Sequence, residues 1–162
     1  MMNKALFESL HKQYYAMINQ MCLGFVKGDY DVANDLTQEV FIIIWKKLDS
    51  FRETSTHKTW IYRITVNKCL EFIRKEKSKK TVPISKVEYD LKNDSKEEEI
   101  TDENELYIAI GQLKELDRLI IMMVLEGQDY EDISAVIGIN PINTRVKIHR
   151  IKKRLKKILN NE

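Results

Sequence analysis

The chain reads as an all-α protein: two helical modules joined by a flexible acidic linker, the second ending in a helix-turn-helix. Three observations lead there. Only five Gly and two Pro interrupt 162 residues, which favours long helices over turn-rich strand structure. Apolar residues recur through most of the chain with the period of one helical face. Thr81 to Asn104 lacks that period, and Glu88 to Glu105 carries nine acids against two lysines, a composition that buries too little apolar surface to fold alone.

The elements follow in order. Leu6, Phe7, Leu10, Tyr14, Met17, Ile18, Met21 and Phe25 predict a helix over 4–27, stopped at Gly28. Asp29 or Asp31 caps a second helix to about Lys47. Its apolar side is Val32, Leu36, Val40, Phe41, Ile44, Trp45 and Leu48, and its polar side holds Asp35, Gln38, Glu39, Lys46 and Lys47. Residues 49–56 are a loop by composition. Thr56 caps a third helix from His57 to about Lys79, amphipathic through Trp60, Ile61, Ile64, Leu70 and Ile73. After the linker, Leu106, Ile110, Leu113 and Leu116 mark one helix. Leu119 to Leu125 marks another, stopped by Gly127. Asp129 caps the next, with Asp132 at the capping-box position and Gly138 as its C-terminal turn. Asn140 caps the last helix, with Pro141 at the first position, where a missing N–H costs nothing. The predicted domains are 1–80, a linker 81–104 with a short ordered piece near Val82 to Ile84, and 105–162.

Bulk properties exclude several classes. Hydrophobic residues make up 43% of the chain, enough for a core. Cys22 and Cys69 sit inside apolar helical patterns without metal-ligand spacing, so they are expected to be reduced and buried. No signal-peptide pattern opens the chain, and its apolar runs, Val40 to Trp45 with six residues and Leu119 to Leu125 with seven, are far short of a membrane span. A cytoplasmic protein without membrane insertion is expected. The sequence offers no phosphate-cradling Gly-rich loop, no metal-ligand cluster and no nucleophile–base pair. The expectation is therefore no enzyme, cofactor, metal or small-molecule substrate.

The net charge of +2 hides a segregation: Asn140 to Leu159 carries eight Lys or Arg and no acid. Thr144, Ile148, Ile151, Leu155 and Ile158 share one face of that last helix and should pack on Ile133 and Val136. The opposite face shows Asn143, Arg145, Val146, Lys147, His149 and Arg150. Arg forks match guanine, Asn and His reach base edges, and Val146 suits a thymine methyl group. A basic second helix in this motif suits the DNA major groove. Lys152, Lys153, Arg154, Lys156 and Lys157 suit phosphate contact or plain solubility.

Three words in the first module are more specific: Asp35-Leu-Thr-Gln-Glu-Val-Phe41, Phe51-Arg52, and Thr59-Trp-Ile-Tyr-Arg-Ile-Thr-Val-Asn67. With Tyr130-Glu-Asp-Ile-Ser134 in the helix-turn-helix, they resemble the extracytoplasmic-function sigma factors of bacterial RNA polymerase. The resemblance runs over essentially the whole chain. Two departures stand out. Leu113-Lys114 replaces the Leu-Pro common at the start of the C-terminal module. Pro141-Ile142-Asn143 replaces a common Val-Gly-Thr and leaves the base preference open.

The resemblance implies roles. Asp35, Gln38 and Glu39 would dock on a coiled coil of the largest subunit of core RNA polymerase. Phe51, Arg52, Ser55, Lys58, Trp60, Arg63 and Asn67 would read and help open the minus-ten element, where a melted strand needs apolar surfaces and cations. Trp60 is open between wedging beside the unstacked base and filling the core; Tyr62 is expected to be structural. Asn143, Arg145, Val146, Lys147, His149 and Arg150 would read the duplex minus-thirty-five element. The linker acids could mimic nucleic acid in a basic polymerase channel. An anti-sigma factor is a further implied partner, and the apolar module faces would permit a closed, inhibited arrangement. Two rivals remain at this point: a dimeric operator-binding regulator, and an interaction protein that binds polymerase without reading DNA.

Overall fold

The computed structural model describes residues 2–52, 54–79 and 102–161, and among them the chain folds into seven α-helices with no strand. These are α1 (Met2–Phe25), α2 (Tyr30–Lys47), α3 (His57–Lys79), α4 (Asp102–Gly111), α5 (Glu115–Leu125), α6 (Tyr130–Ile137) and α7 (Pro141–Leu159), with a short 3-10 turn at Leu48–Ser50. Apart from its last three residues, the expected linker 81–104 lies outside the described residues, as does the ordered piece expected near Val82.

The helix ends form where the sequence places its caps. Asp29 accepts from the Val32 N–H at 3.2 Å and Thr56 from the Thr59 N–H at 3.1 Å. Asp129 accepts from the Asp132 N–H at 2.8 Å and Asn140 from the Asn143 N–H at 2.8 Å. Each satisfies one of the donors that a helix N-terminus leaves unpaired. Gly138 closes α6 in the left-handed region at φ 77°, a conformation other residues adopt at a steric cost.

Two boundaries differ from expectation. Helix α4 begins at Asp102, inside the expected linker. The expected helix through Leu116 breaks after Gly111, and Leu116 opens α5 instead. Arg118 explains the break: its Nε donates to the Leu113 carbonyl at 2.9 Å, holding the turn between the helices.

The buried residues form one continuous core that runs through both modules. Helix α1 packs on α2 and α3 on one side and on α4 and α5 on the other; α6 lies on α3. Gly24 makes the closest approach possible, since a Cβ there would stand 2.3 Å from the Met122 sulfur. Cys22 and Cys69 are buried and free, with sulfurs 3.9 Å apart. The closed arrangement that the sequence merely permits is the one this structure adopts.

Candidate nucleic-acid interface

Helix α7 is positioned by its apolar side. Thr144, Ile148, Ile151 and Leu155 are buried against the rest of the module, and the Thr144 hydroxyl donates to the Asn140 carbonyl at 2.9 Å. Ile142, Val146, His149 and Lys153 therefore recur on the side opposite the core, and all four are exposed. They form the crest of the helix. Two shallow grooves flank it, of about 400 and 670 Å³, and Val146 and Arg150 line both.

The other expected duplex readers lie to either side of the crest. Arg145 sets its guanidinium over the Tyr130 ring, 5.1 Å from the centroid. Lys147 pairs with Asp117 at 3.3 Å. Asn143 and Arg150 are exposed. Ile142 was not among the expected readers, although its spacing from Val146 puts it on the same ridge.

The expected strand readers gather at the start of α3. The rings of Phe51 and His57 stack at 4.5 Å, and Phe51 lies 4.9 Å from Trp60. Trp60 is half-buried, so one flank packs while another stays open. Arg52 and Asn67 are exposed and Ser55 half-exposed. Lys58 and Arg63 reach across to the second module. Lys58 pairs with Asp132 at 3.8 Å. The Arg63 guanidinium donates from Nε at 3.0 Å and from Nη2 at 2.7 Å to the Ala135 carbonyl. That carbonyl is one of those left over at the end of α6, where a cation also meets the negative pole of the helix.

The reverse contact exists as well. Arg118 of α5 donates to the last carbonyl of α1, at Phe25, over 3.3 Å, and lies over the Phe25 ring. Each module thus supplies an arginine that caps a helix of the other.

On α2, Asp35 and Gln38 are exposed and on one side, while Glu39 pairs with Lys68 of α3 at 3.3 Å. Among the described residues no group of His, Cys, Asp and Glu is arranged to hold a metal ion.

Residues 6–79 match the family model of sigma-70 region 2, and residues 103–155 match that of sigma-70 region 4. The ECF RNA polymerase sigma-E factor of Escherichia coli is 32% identical over 129 residues, covering 72% of this chain and 68% of that protein. The chain belongs to the extracytoplasmic-function sigma factors.

The ECF sigma factor SigE of Mycolicibacterium smegmatis is 28% identical over 141 residues, 83% of this chain; the match spans about half, 54%, of that longer relative. The fold is that of the sigma factor RpoE of Bartonella quintana, solved in complex with the anti-sigma factor NepR. The TM-score is 0.74 at 21% identity, over 95% of this chain and 96% of that one. The sequence of motifs in the first module and the helix-turn-helix in the second are therefore those of a sigma factor in both halves, which leaves neither rival reading a place.

Within this sigma factor the boundary between the two regions holds one ionisable group under tension. The Tyr62 hydroxyl donates to Oε2 of Glu126 at 2.7 Å. Oε1 of Glu126 and Oε1 of Gln128 are buried and find no hydrogen-bond partner among the described residues. Burial raises the Glu126 carboxyl to about 7 against a smaller lowering by the Tyr62 hydrogen bond. Burial, with the Glu126 charge behind it, raises the Tyr62 phenol far above its ordinary value. Tyr62 is fully buried, as its expected structural role requires.

Proposed function

We propose that this sigma factor directs promoter-specific initiation by three surfaces on one chain: 1–80 for polymerase docking and the minus-ten strand, 81–104 as connector, and 105–162 for the minus-thirty-five duplex. Asp35 and Gln38 dock on an Arg-rich coiled coil of the largest subunit of core polymerase, with Glu39 released from Lys68 to join them. Phe51 and Trp60 offer stacking surface to an unpaired base, and Arg52, Lys58, Arg63 and Asn67 hold the strand around it. Helix α7 enters the major groove with Asn143, Arg145, Val146, Lys147, His149 and Arg150 toward the DNA. Catalysis of RNA synthesis belongs to the polymerase, and the cytoplasm is where the chain works; no described helix is long and apolar enough to cross a membrane.

The observation that carries the reading is the pairing of two distinct nucleic-acid surfaces in one chain. An aromatic cluster with cations at the start of α3 suits a melted strand, and an acid-free basic helix suits a duplex. Their states differ. In the packed arrangement Lys58 and Arg63 are held by α6, so strand reading requires the modules to part. An anti-sigma partner that favours the packed form would keep the factor idle.

The test is reconstitution with core RNA polymerase and transcription of fragmented genomic DNA. New discrete starts, absent with core polymerase alone, are expected. Their alignment should show two boxes at fixed spacing. A folded, inhibitor-free chain that binds no polymerase and gives no new starts would refute the proposal.

A further inference from the structure

Ile142 is 77% exposed, more than any other large apolar side chain among the described residues. It stands on the first turn of α7. Val146, 45% exposed, follows one turn later on the same crest. Ile139, in the turn before the helix, adds a third partly exposed apolar side chain. Scattered surface hydrophobes need no explanation, but a contiguous set within a functional surface does. The surroundings narrow the occupant. Arg145, Lys147, Arg150, Lys152 and Lys153 stand around this crest and no acid occurs on α7, so the partner carries negative charge on either side of an apolar spot.

A DNA duplex has that pattern. Phosphates line both walls of the major groove, and the 5-methyl group of thymine is the apolar feature of its floor. A helix entering by its N-terminal turns brings its outermost early residues nearest to that floor. Those residues here are Ile142 and Val146. The flanking cations then fall toward the walls: Arg145 is held to one side over Tyr130, and Lys147 is drawn to the other by Asp117.

We infer that Ile142 and Val146 read thymine 5-methyl groups in the duplex promoter element, so that the sequence preference of this factor contains thymines at the positions under the first turns of α7. The inference rests on the proposed promoter function and adds the chemistry by which this chain selects its element.

The test replaces thymine by deoxyuridine, which removes the methyl group and leaves base pairing intact. Holoenzyme formed from the full chain and core polymerase selects duplexes from a random library. Each thymine of the selected element is then exchanged singly for deoxyuridine. One or two exchanges should weaken binding roughly fourfold each, the worth of one buried methyl-sized group. Each of these exchanges should become nearly neutral in whichever variant, I142A or V146A, lacks the side chain that contacts its methyl group. Both positions are exposed, so these variants fold, and unchanged far-ultraviolet circular dichroism and Tm check it. Binding that is selective yet indifferent to every exchange would overturn the inference. So would an exchange whose effect persists in both variants, or an I142A defect confined to polymerase affinity, which would make the crest a protein contact. Failure to select any duplex would instead remove the promoter reading beneath it.

Discussion

The two proposed nucleic-acid surfaces of this chain are built alike and presented differently. Both set basic and apolar side chains on one side of a helix whose other side is core. On α7 the outward groups Ile142, Val146, His149 and Arg150 stand in solvent. On α3 the Lys58 ammonium and the Arg63 guanidinium are already engaged, the first by Asp132 and the second by the Ala135 carbonyl. The difference teaches that a cation at a helix surface has two competing uses. It can meet a phosphate, or it can cap a neighbouring helix whose last carbonyls lack donors. In this arrangement the crest of the proposed duplex reader stands in solvent, while two cations of the proposed strand reader are engaged by α6.

That contrast can be broken most forcefully at the contact between α1 and α5. Gly24→Ala puts a Cβ where the buried Met122 side chain lies. We expect a loss of about 2–3 kcal/mol in chemical denaturation, as for overpacked cores, with looser packing between the modules. A stability within error of the parent chain would show that the approach of Gly24 to Met122 is slack.

Acidity should tune the same boundary. Glu126 carries a raised carboxyl, about 7, in the packed state and an ordinary value once it is solvated. The packed state therefore holds more protons in the window between those values. Its stability is fully present below the ordinary carboxylate range and is lost as pH rises through about 7. The expected change is on the order of 2 kcal/mol across that window, and Glu126→Gln should flatten it. Denaturation midpoints of the two chains against pH decide the matter; parallel curves would remove Glu126 from the account.

Arg63→Ala sharpens the comparison from the side of α3. It deletes both donors to Ala135, but the arginine is exposed, so about 1 kcal/mol of stability is expected to go. Promoter opening should fall further than that stability loss explains, since the same guanidinium would hold the melted strand. Potassium permanganate reactivity of the minus-ten thymines reads the opening; a normal signal would confine Arg63 to helix capping. The smallest effect belongs to Arg145→Ala. Held over Tyr130 beside the crest, Arg145 is placed for a phosphate. Its loss should weaken all duplexes alike by about 0.5–1 kcal/mol. Loss at a single base position would restore the guanine contact that the sequence suggests.

Much of this was legible in the sequence because it is local. Asp29, Thr56, Asp129 and Asn140 cap the helices they precede, and Gly138 turns the chain between α6 and α7. Such signals need no knowledge of the rest of the fold. The split at 112–114 was missed because it depends on Arg118, a residue inside the following helix that reaches back to Leu113. The packing of one module on the other was legible only as an allowance. An amphipathic helix states that one side is buried, not against what, and Gly24 reads as a weak helix residue until Met122 lies over it. In the proposed site, the engagements of the residues were not visible in the sequence. Lys58, Arg63, Glu39 and Lys147 look like free surface charges in the sequence, and each has a partner distant along the chain.

The measurement that bears most directly on the account is the distance between the modules, free and on polymerase. Labels on Ser9→Cys in α1 and Lys153→Cys in α7 would report it, both positions being exposed while Cys22 and Cys69 are buried. The free chain should give one short distance, matching the packed arrangement, and core polymerase with promoter DNA should lengthen it as transcription starts appear. A distance that stays short in an actively initiating complex would contradict the claim that the modules must part before the strand is read.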